Sequence, residues 1–395
     1  MEKQLTMVKE FKKSKLFNNQ GLNIAVLNGT FREMGIQYGE LLKETIINCY
    51  QEIVIKQFVD SKIFTYEQLI EYVGEPYWNG YSKRQQELTK GMSIATGLTT
   101  YELTLLNQNM NAVFIARKLG FFSTCTVACT SMAAWGDYTI DHELYTMRNL
   151  DFHLPYKAWA EKYATLLVCN PSDGSNQVAG FTFSGMIIFF DAMNDKGIYS
   201  QQNTGTGTEG NIIYSNRPSI FDELVNAMFD SDNLKTFETR INMTRASFPL
   251  TIMGASPEEV FYLENATIGF KKRSVGVEDE VIVAVNQFYD PSWGVTPLPY
   301  PSGWLSETRR ENILQLAKVN KGKIDRTIME EILNVPLFDK NGVQGKGASV
   351  LDENPTTDVV TVWQVISHPA KRKFVFRIPK FTDWLIIDLN DLFNT

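Results

Sequence analysis

The chain has 395 residues, 44% hydrophobic and 21% charged, a composition that builds a large core without disulfides or metals. Its net charge of −7 excludes nucleic acid as a main partner, since contact with a phosphate backbone needs clustered Lys and Arg. Four cysteines are too few for a disulfide scaffold, and with three histidines and no CxxC pair the sequence has no zinc-type ligand spacing.

No metal or cofactor is therefore expected. No apolar run reaches the roughly 18 residues that span a bilayer, and the first residues lack a signal-peptide core, so the chain reads as cytoplasmic with no membrane partner.

Residues 1–20 are polar and basic, without a period, and read as a solvated leader holding the one basic cluster, residues 9–15. A short strand follows at 22–27. Thr30 stands where it can cap a helix over about 31–58, whose apolar positions Met34, Tyr38, Leu41, Leu42, Ile46 and Ile47 fall at helical spacing. Helices are expected at 65–73 and 82–95, and from a capping box at Thr99 to about 116. From 119 to about 203 the pattern changes to strands, at 130–134, 144–149, 163–170, 178–183, 186–192 and 198–202, separated by turn residues. Helices return at 219–230 and 233–241, strands at 250–254, 260–263 and 281–285, helices at 306–319 and 324–334, and strands at 359–366, 374–378 and 384–389. This is an α+β order with antiparallel strands.

Several motifs with other meanings are present or nearly so. Gly205-Thr206-Gly207-Thr208-Glu209-Gly210 fits GxGxxG, but it follows an antiparallel meander instead of opening a βαβ unit, and reads as a loop. GxSxG is absent, and His142-Glu143 lacks the second histidine of HExxH.

Chemistry concentrates at Cys129-Thr130-Ser131, followed by Met147-Arg148-Asn149-Leu150-Asp151-Phe152. A hairpin would bring a thiol, a cation and a carboxylate together. Of the three histidines His153 is nearest, while His142 and His368 sit in a turn and a loop. The scarcity of imidazole directs attention to another base. An α-amino group titrates at about 7.7–8.0, close to working pH. An internal cysteine gains such a group only when the preceding peptide bond is cleaved.

These residues resemble the N-terminal nucleophile (Ntn) cysteine hydrolases, which include choloylglycine hydrolases and penicillin V acylases, and most closely the isopenicillin N acyltransferase family. Further pieces of the resemblance are Gly29-Thr30-Phe31-Arg32-Glu33-Met34-Gly35, Asn194-Asp195-Lys196-Gly197-Ile198 with Asn203, Val285-Asn286-Gln287-Phe288, and Ser306-Glu307-Thr308-Arg309. Ala128 stands where the family often has glycine, Gln287 stands where it has histidine, and Cys125 is a rival thiol with a poorer following motif.

The resemblance implies an αββα sandwich of two antiparallel sheets between helical layers. It implies self-cleavage between Ala128 and Cys129, dividing a mostly helical segment, 1–128, from a catalytic core, 129–395, within one structural domain. The two pieces stay associated, and the assembly could be a homo-oligomer. Cys129 would attack a small acyl amide and carry a thioester. Arg148 would favour the thiolate, Asp151 would hold the new amine, Asn203 and Asn286 would serve the oxyanion, and Arg309 would support the site electrostatically. On a regular strand Arg148 and Asp151 point to opposite faces, so both reach the thiol only if the strand bends or ends near Asn149. Apolar residues Trp135, Phe152, Tyr156, Trp159, Phe288 and Trp304 would suit an acyl pocket. Two other readings stand beside this one: a phospholipase B-like ester hydrolase on the same scaffold, and an unprocessed, non-catalytic relative.

Overall fold

A computed structural model describes residues 5–121, 128–205, 217–274, 280–294, 305–352 and 357–393. The basic leader proves to be a hairpin, β1 (Thr6–Phe11) and β2 (Ser14–Asn19), closed over Lys12-Lys13 with Lys12 at φ 54°. Its lysines obscure the alternation in sequence, yet Ser14, Leu16 and Asn19 point inward. The turn leads to β3 (Leu22–Gly29) and then α1 (Phe31–Tyr50), where Thr30 and Glu33 form a reciprocal capping box. The helix continues as a π-helical stretch, Gln51–Asp60, followed by α2 (Tyr66–Leu69), α3 (Glu75–Gly80), α4 (Lys83–Thr96), α5 (Thr100–Asn107) and α6 (Asn109–Lys118). Helices α1 and α4 meet backbone to backbone: a Cβ on Gly35 would lie 2.0 Å from the Leu88 carbonyl oxygen.

The strand run begins with β4 (Ala128–Ala134) and β5 (Tyr145–His153). An unexpected helix, α7 (Leu154–Tyr163), starts at once, with Pro155 in its first turn, where a missing N–H costs nothing. Strands β6 (Ala164–Pro171), β7 (Val178–Phe183), β8 (Asp191–Asn194) and β9 (Tyr199–Thr204) follow. The strand expected over 186–192 is mostly a buried loop. Its Ile187 and Ile188 N–H groups donate to the Asn107 side-chain oxygen at 2.7 and 3.0 Å, so a side chain replaces the ladder. The remainder is α8 (Ile220–Asp230), α9 (Leu234–Asn242), β10 (Leu250–Ala255), β11 (Val260–Ala266), β12 (Gly269–Arg273), β13 (Val281–Ala284), α10 (Ser306–Val319), α11 (Arg326–Asn334), β14 (Val359–His368), β15 (Lys373–Arg377), β16 (Leu385–Asp388) and α12 (Asn390–Phe393).

The strands form two sheets, ordered β1-β2-β3-β6-β7-β8-β9-β10-β11-β12 and β13-β4-β5-β14-β15-β16. Among the described strands every pairing is antiparallel except β3 with β6, which runs parallel because the helices α1–α7 and strands β4–β5 intervene. The sheets pack face to face through Phe181, Phe183, Phe190, Trp363, Phe374 and Phe376, whose rings form one connected cluster joined at Trp363 and Phe376. Helices α1, α8 and α9 cover the outer face of the larger sheet, and α10 and α11 that of the smaller. The architecture is thus the α+β, αββα sandwich expected from the sequence. The segment before Cys129 is not only helical: it supplies β1, β2 and β3 to the larger sheet. Among the described residues no helix is long and apolar enough to cross a membrane.

Candidate active site

Cys129 is the second residue of β4, paired across the ladder with Leu150 of β5, while Ser131 pairs with Arg148 and Ala128 with Asp151. Paired residues share a face, so the alternation sends Cys129, Ser131 and Arg148 toward the larger sheet, and Ala128, Thr130 and Asp151 toward the helices. The strand does not end at Asn149: β5 runs on to His153, and its register with β4 is unbroken through Asp151. Arg148 and Asp151 therefore do not converge on the sulfur. They flank Cys129 from opposite sides of the sheet.

Between the sheets, the Arg148 guanidinium is 1% exposed and its Nη2 lies 3.6 Å from the Cys129 sulfur. The same Nη2 donates to the Gln202 carbonyl at 2.7 Å, and Nη1 donates to the Phe190 carbonyl at 2.8 Å and to the Asp191 carboxylate at 2.7 Å. Tyr199 donates to the other Asp191 oxygen at 2.9 Å. Burial opposes the charge on Arg148, but Asp191 and the thiol hold its pKa above the ordinary range.

On the helical side, the Asp151 carboxylate accepts from the Thr361 hydroxyl at 2.6 Å, and its Oδ2 has no hydrogen-bond partner among the described residues. The extra residue Val362 makes a bulge in β14 opposite Leu150 and Asp151, with Thr361 set against Asp151. Burial pushes the Asp151 carboxyl up to about 6, against the pull of Arg309 and of the Thr361 hydrogen bond.

The main chain of Cys129 is held as well. Its N–H donates to Asn286 Oδ1 at 2.7 Å, and its carbonyl accepts from Arg309 Nη1 at 2.6 Å. Arg309, fully buried on α10, also donates to Thr130 Oγ1 at 2.8 Å and to Asn286 Oδ1 at 2.9 Å. Burial lowers the Arg309 pKa, with Asp151 and the thiol acting the other way. The neighbouring Arg310 lies over the Tyr289 ring instead, 4.6 Å from its centroid, and touches none of these groups. Gln287 donates to Glu307 at 2.7 Å, tying the segment after β13 to the first turn of α10.

Burial pushes the Cys129 thiol up, Arg148 pulls it down, and Asp151 adds to the rise. The site thus holds a protonated thiol beside a fixed cation, so the thiol needs a proton acceptor before it can attack. No imidazole touches the thiol among the described residues: His153 engages Asp358 at 2.7 Å, His368 faces Glu143, and His142 is exposed.

The two asparagines differ. Asn286 Nδ2 gives one hydrogen to the Thr204 carbonyl at 3.1 Å and has a second for another acceptor. Both hydrogens of Asn203 Nδ2 are committed, to Ser131 Oγ at 3.0 Å and to the Ala284 carbonyl at 3.2 Å. Ser131 also accepts from Gln201 at 3.0 Å and Tyr262 at 2.9 Å, making a polar hub two residues beyond the thiol on the same face. Sequence reasoning missed Asp191, Tyr199, Ser131 and Tyr262. The one available signal was a charged residue at the end of the apolar run Met186-Ile187-Ile188-Phe189-Phe190-Asp191, which asks for a buried partner.

Phe152, Tyr156 and Trp159 form one contiguous cluster of tilted and edge-on rings, whereas Phe288 stacks on Trp293. Cys125, residues 206–210 and Trp304 lie outside the described residues. Asp141, Glu143 and His368 have metal-like spacing, but the Lys371 ammonium, 2.8 Å from Glu143, already supplies positive charge there.

No family model matches the sequence, and no curated protein matches it. Solved structures with a similar fold include a Caenorhabditis elegans ortholog of N-acylethanolamine-hydrolyzing acid amidase, with a TM-score of 0.41 and 14% identity over 61% of this chain and 93% of that one. A variant of the conjugated bile acid hydrolase of Clostridium perfringens gives 0.41 and 12% over 67% and 94%. The penicillin V acylase of Agrobacterium tumefaciens gives 0.40 and 10% over 67% and 88%. At these values the site's chemistry has to be read from its own atoms.

Proposed function

We propose that this chain is an autoproteolytically activated cysteine amidohydrolase or acyltransferase, acting on a linear, non-peptide C–N amide through a thioester on Cys129. The observation that carries this reading is the separate hold on the two ends of one residue. The Cys129 sulfur rests against Arg148, while its nitrogen is gripped by Asn286. A free amine at that nitrogen would be fixed near its own thiol, in a site where no histidine touches the sulfur among the described residues.

Cleavage of the Ala128–Cys129 bond consumes one water and frees the amine. The amine takes the thiol proton, the sulfur attacks the substrate carbonyl, and the collapsing intermediate breaks the C–N bond. The ammonium returns its proton to the departing amine. Water or a second amine then attacks the thioester, losing a proton to the Cys129 amine, and the thiol leaves protonated. The unspent hydrogen of Asn286 Nδ2 is available to the oxyanion. Arg309 keeps Asn286 and the Cys129 carbonyl in register. The Asp151 oxygen that has no partner among the described residues, on the residue paired with Ala128, is an acceptor for the ammonium. The pieces 1–128 and 129–395 stay together because the parallel β3–β6 ladder crosses between them.

The test is hydrolysis of chromogenic N-acyl amides, with mass spectrometry of the quenched enzyme. Amine release and an acyl adduct on the peptide starting at Cys129, both lost in Cys129→Ser, support the reading. Hydrolysis of phospholipid esters with no amide turnover would favour a lipid esterase. Neither activity, with an unprocessed chain, would make it a non-catalytic relative.

A further inference from the structure

Arg148 is shared between two acceptors of unlike kind: a carboxylate at 2.7 Å and a sulfur at 3.6 Å. Among the described residues, three of its four hydrogen-bond partners (Phe190 O, Asp191 and Gln202 O) come from the larger sheet and the loop leading into it, and the sulfur is the one in the smaller sheet. The guanidinium is thus anchored from across the sandwich and only leans on the thiol. Asp191 is fully buried, and Tyr199 fixes its second oxygen. A buried cation with a buried carboxylate this close has its charge largely balanced before the sulfur is considered.

Resting on the reading of Cys129 as nucleophile, we propose that Asp191 is a positioning residue that sets the ionisation of the thiol. It anchors Arg148 and takes up most of its charge, so the sulfur keeps its proton until the proposed amine removes it. Tyr199 trims this effect by spreading part of the Asp191 charge into its hydroxyl.

The charged and titratable groups around the pair are few. Asp151 from β5 and Arg309 from α10 face Cys129, and Tyr199 from β9 and Tyr262 from β11 face Arg148. None of them is altered when Asp191 becomes asparagine. That change keeps the shape and one acceptor and leaves the sulfur as the one acidic group in hydrogen-bond contact with Arg148 among the described residues, with the Asp151 carboxyl acting on it only from across the sheet. The thiolate is then favoured, although a supporting residue has been removed. A role confined to holding the fold predicts no such gain.

The experiment is a pH titration of ultraviolet thiolate absorbance on the purified full chain, each variant read against the same variant carrying Cys129→Ser. It needs no substrate and no knowledge of whether the 128–129 bond is cut. Asp191→Asn is expected to give about tenfold more thiolate at a given pH than wild type, the effect of an unbalanced cation within hydrogen-bonding range. Tyr199→Phe, which concentrates the charge on Asp191, is expected to move the midpoint the other way by a smaller amount. An unchanged or higher midpoint in Asp191→Asn overturns the proposal. If Asp191→Asn does not fold, the direction of the Tyr199→Phe displacement decides, and a downward one overturns it. Failure of amide turnover in wild type would count against the proposed function and leave this titration readable.

Discussion

The backbone nitrogen of Cys129 donates to the side-chain oxygen of Asn286 at 2.7 Å, across 157 positions of sequence. That oxygen also accepts from Arg309, so one amide ties the start of β4, the segment after β13 and the first turns of α10 together. Asn286→Ala removes the grip on the nitrogen and the one side-chain hydrogen of the two asparagines that is unspent among the described residues. Amide turnover is expected to fall by about 10²- to 10³-fold, the usual cost of losing such a donor. Asn203→Ala, whose hydrogens serve Ser131 and Ala284, is expected to cost stability more than turnover. Steady-state kinetics and thermal melts on both variants separate the two effects; equal losses of turnover would contradict the assignment.

Arg309 and Arg310 are adjacent in sequence and unlike in place. Arg309 grips the Cys129 carbonyl, Thr130 and Asn286, while Arg310 rests on Tyr289. Arg309→Lys offers a point charge where a planar fork is needed, so the folded protein should lose most of its activity. Arg310→Ala should keep it. Activity assays on the pair test this, and the reverse pattern would refute it.

Two buried carboxyls make stability depend on pH. Asp222 is fully buried among α5, α6 and α8, with Gln108 donating to both oxygens at 3.0 and 2.9 Å, and no cation pairs with it among the described residues. Burial pushes it from 3.8 up to about 8. The folded state therefore holds this proton more tightly than the unfolded state. Its contribution is fully present below pH 3.8 and is lost as pH rises through about 8. Across that window stability should fall by up to about 1.4 kcal/mol per pH unit for this one group. Asp151, pushed up to about 6, acts with the same sign over a narrower range. Denaturant unfolding at several pH values should show the decline, and Asp222→Asn should flatten it. A slope unaffected by that substitution would contradict the account.

The close crossing of α1 and α4 leaves no room at either glycine. A Cβ at Gly91 would lie 2.2 Å from the Arg32 carbonyl oxygen. Gly35→Ala or Gly91→Ala should force the helices apart and cost about 1–3 kcal/mol or more, as overpacking does. Thermal melts read this directly, and an unchanged midpoint would show that the helices can separate freely.

Much of the fold was legible because its signals are local. Thr30 and Thr99 are followed three residues later by glutamates that complete their caps, and most strands were bounded by turn residues. The Cys129, Arg148 and Asp151 positions could be named from a motif, but their separation onto two faces needed the register of β4 against β5. What stayed hidden depends on distant contacts. Residues 186–192 read as a strand because they are mostly apolar, yet Asn107, 80 positions from Ile187, takes up the N–H groups of Ile187 and Ile188. Asp191 gains meaning only once the second sheet brings Arg148 against it. The first hairpin was masked by lysines whose charges sit outside while Leu16 points in.

The proposal that cleavage before Cys129 supplies the nucleophile's amine is read out by N-terminal sequencing of the purified protein. A 267-residue fragment (395 − 128) beginning Cys-Thr-Ser-Met-Ala is expected beside the 128-residue segment, and Cys129→Ala is expected to stay whole. A single uncut chain of 45.0 kDa that still hydrolyses amides would contradict it.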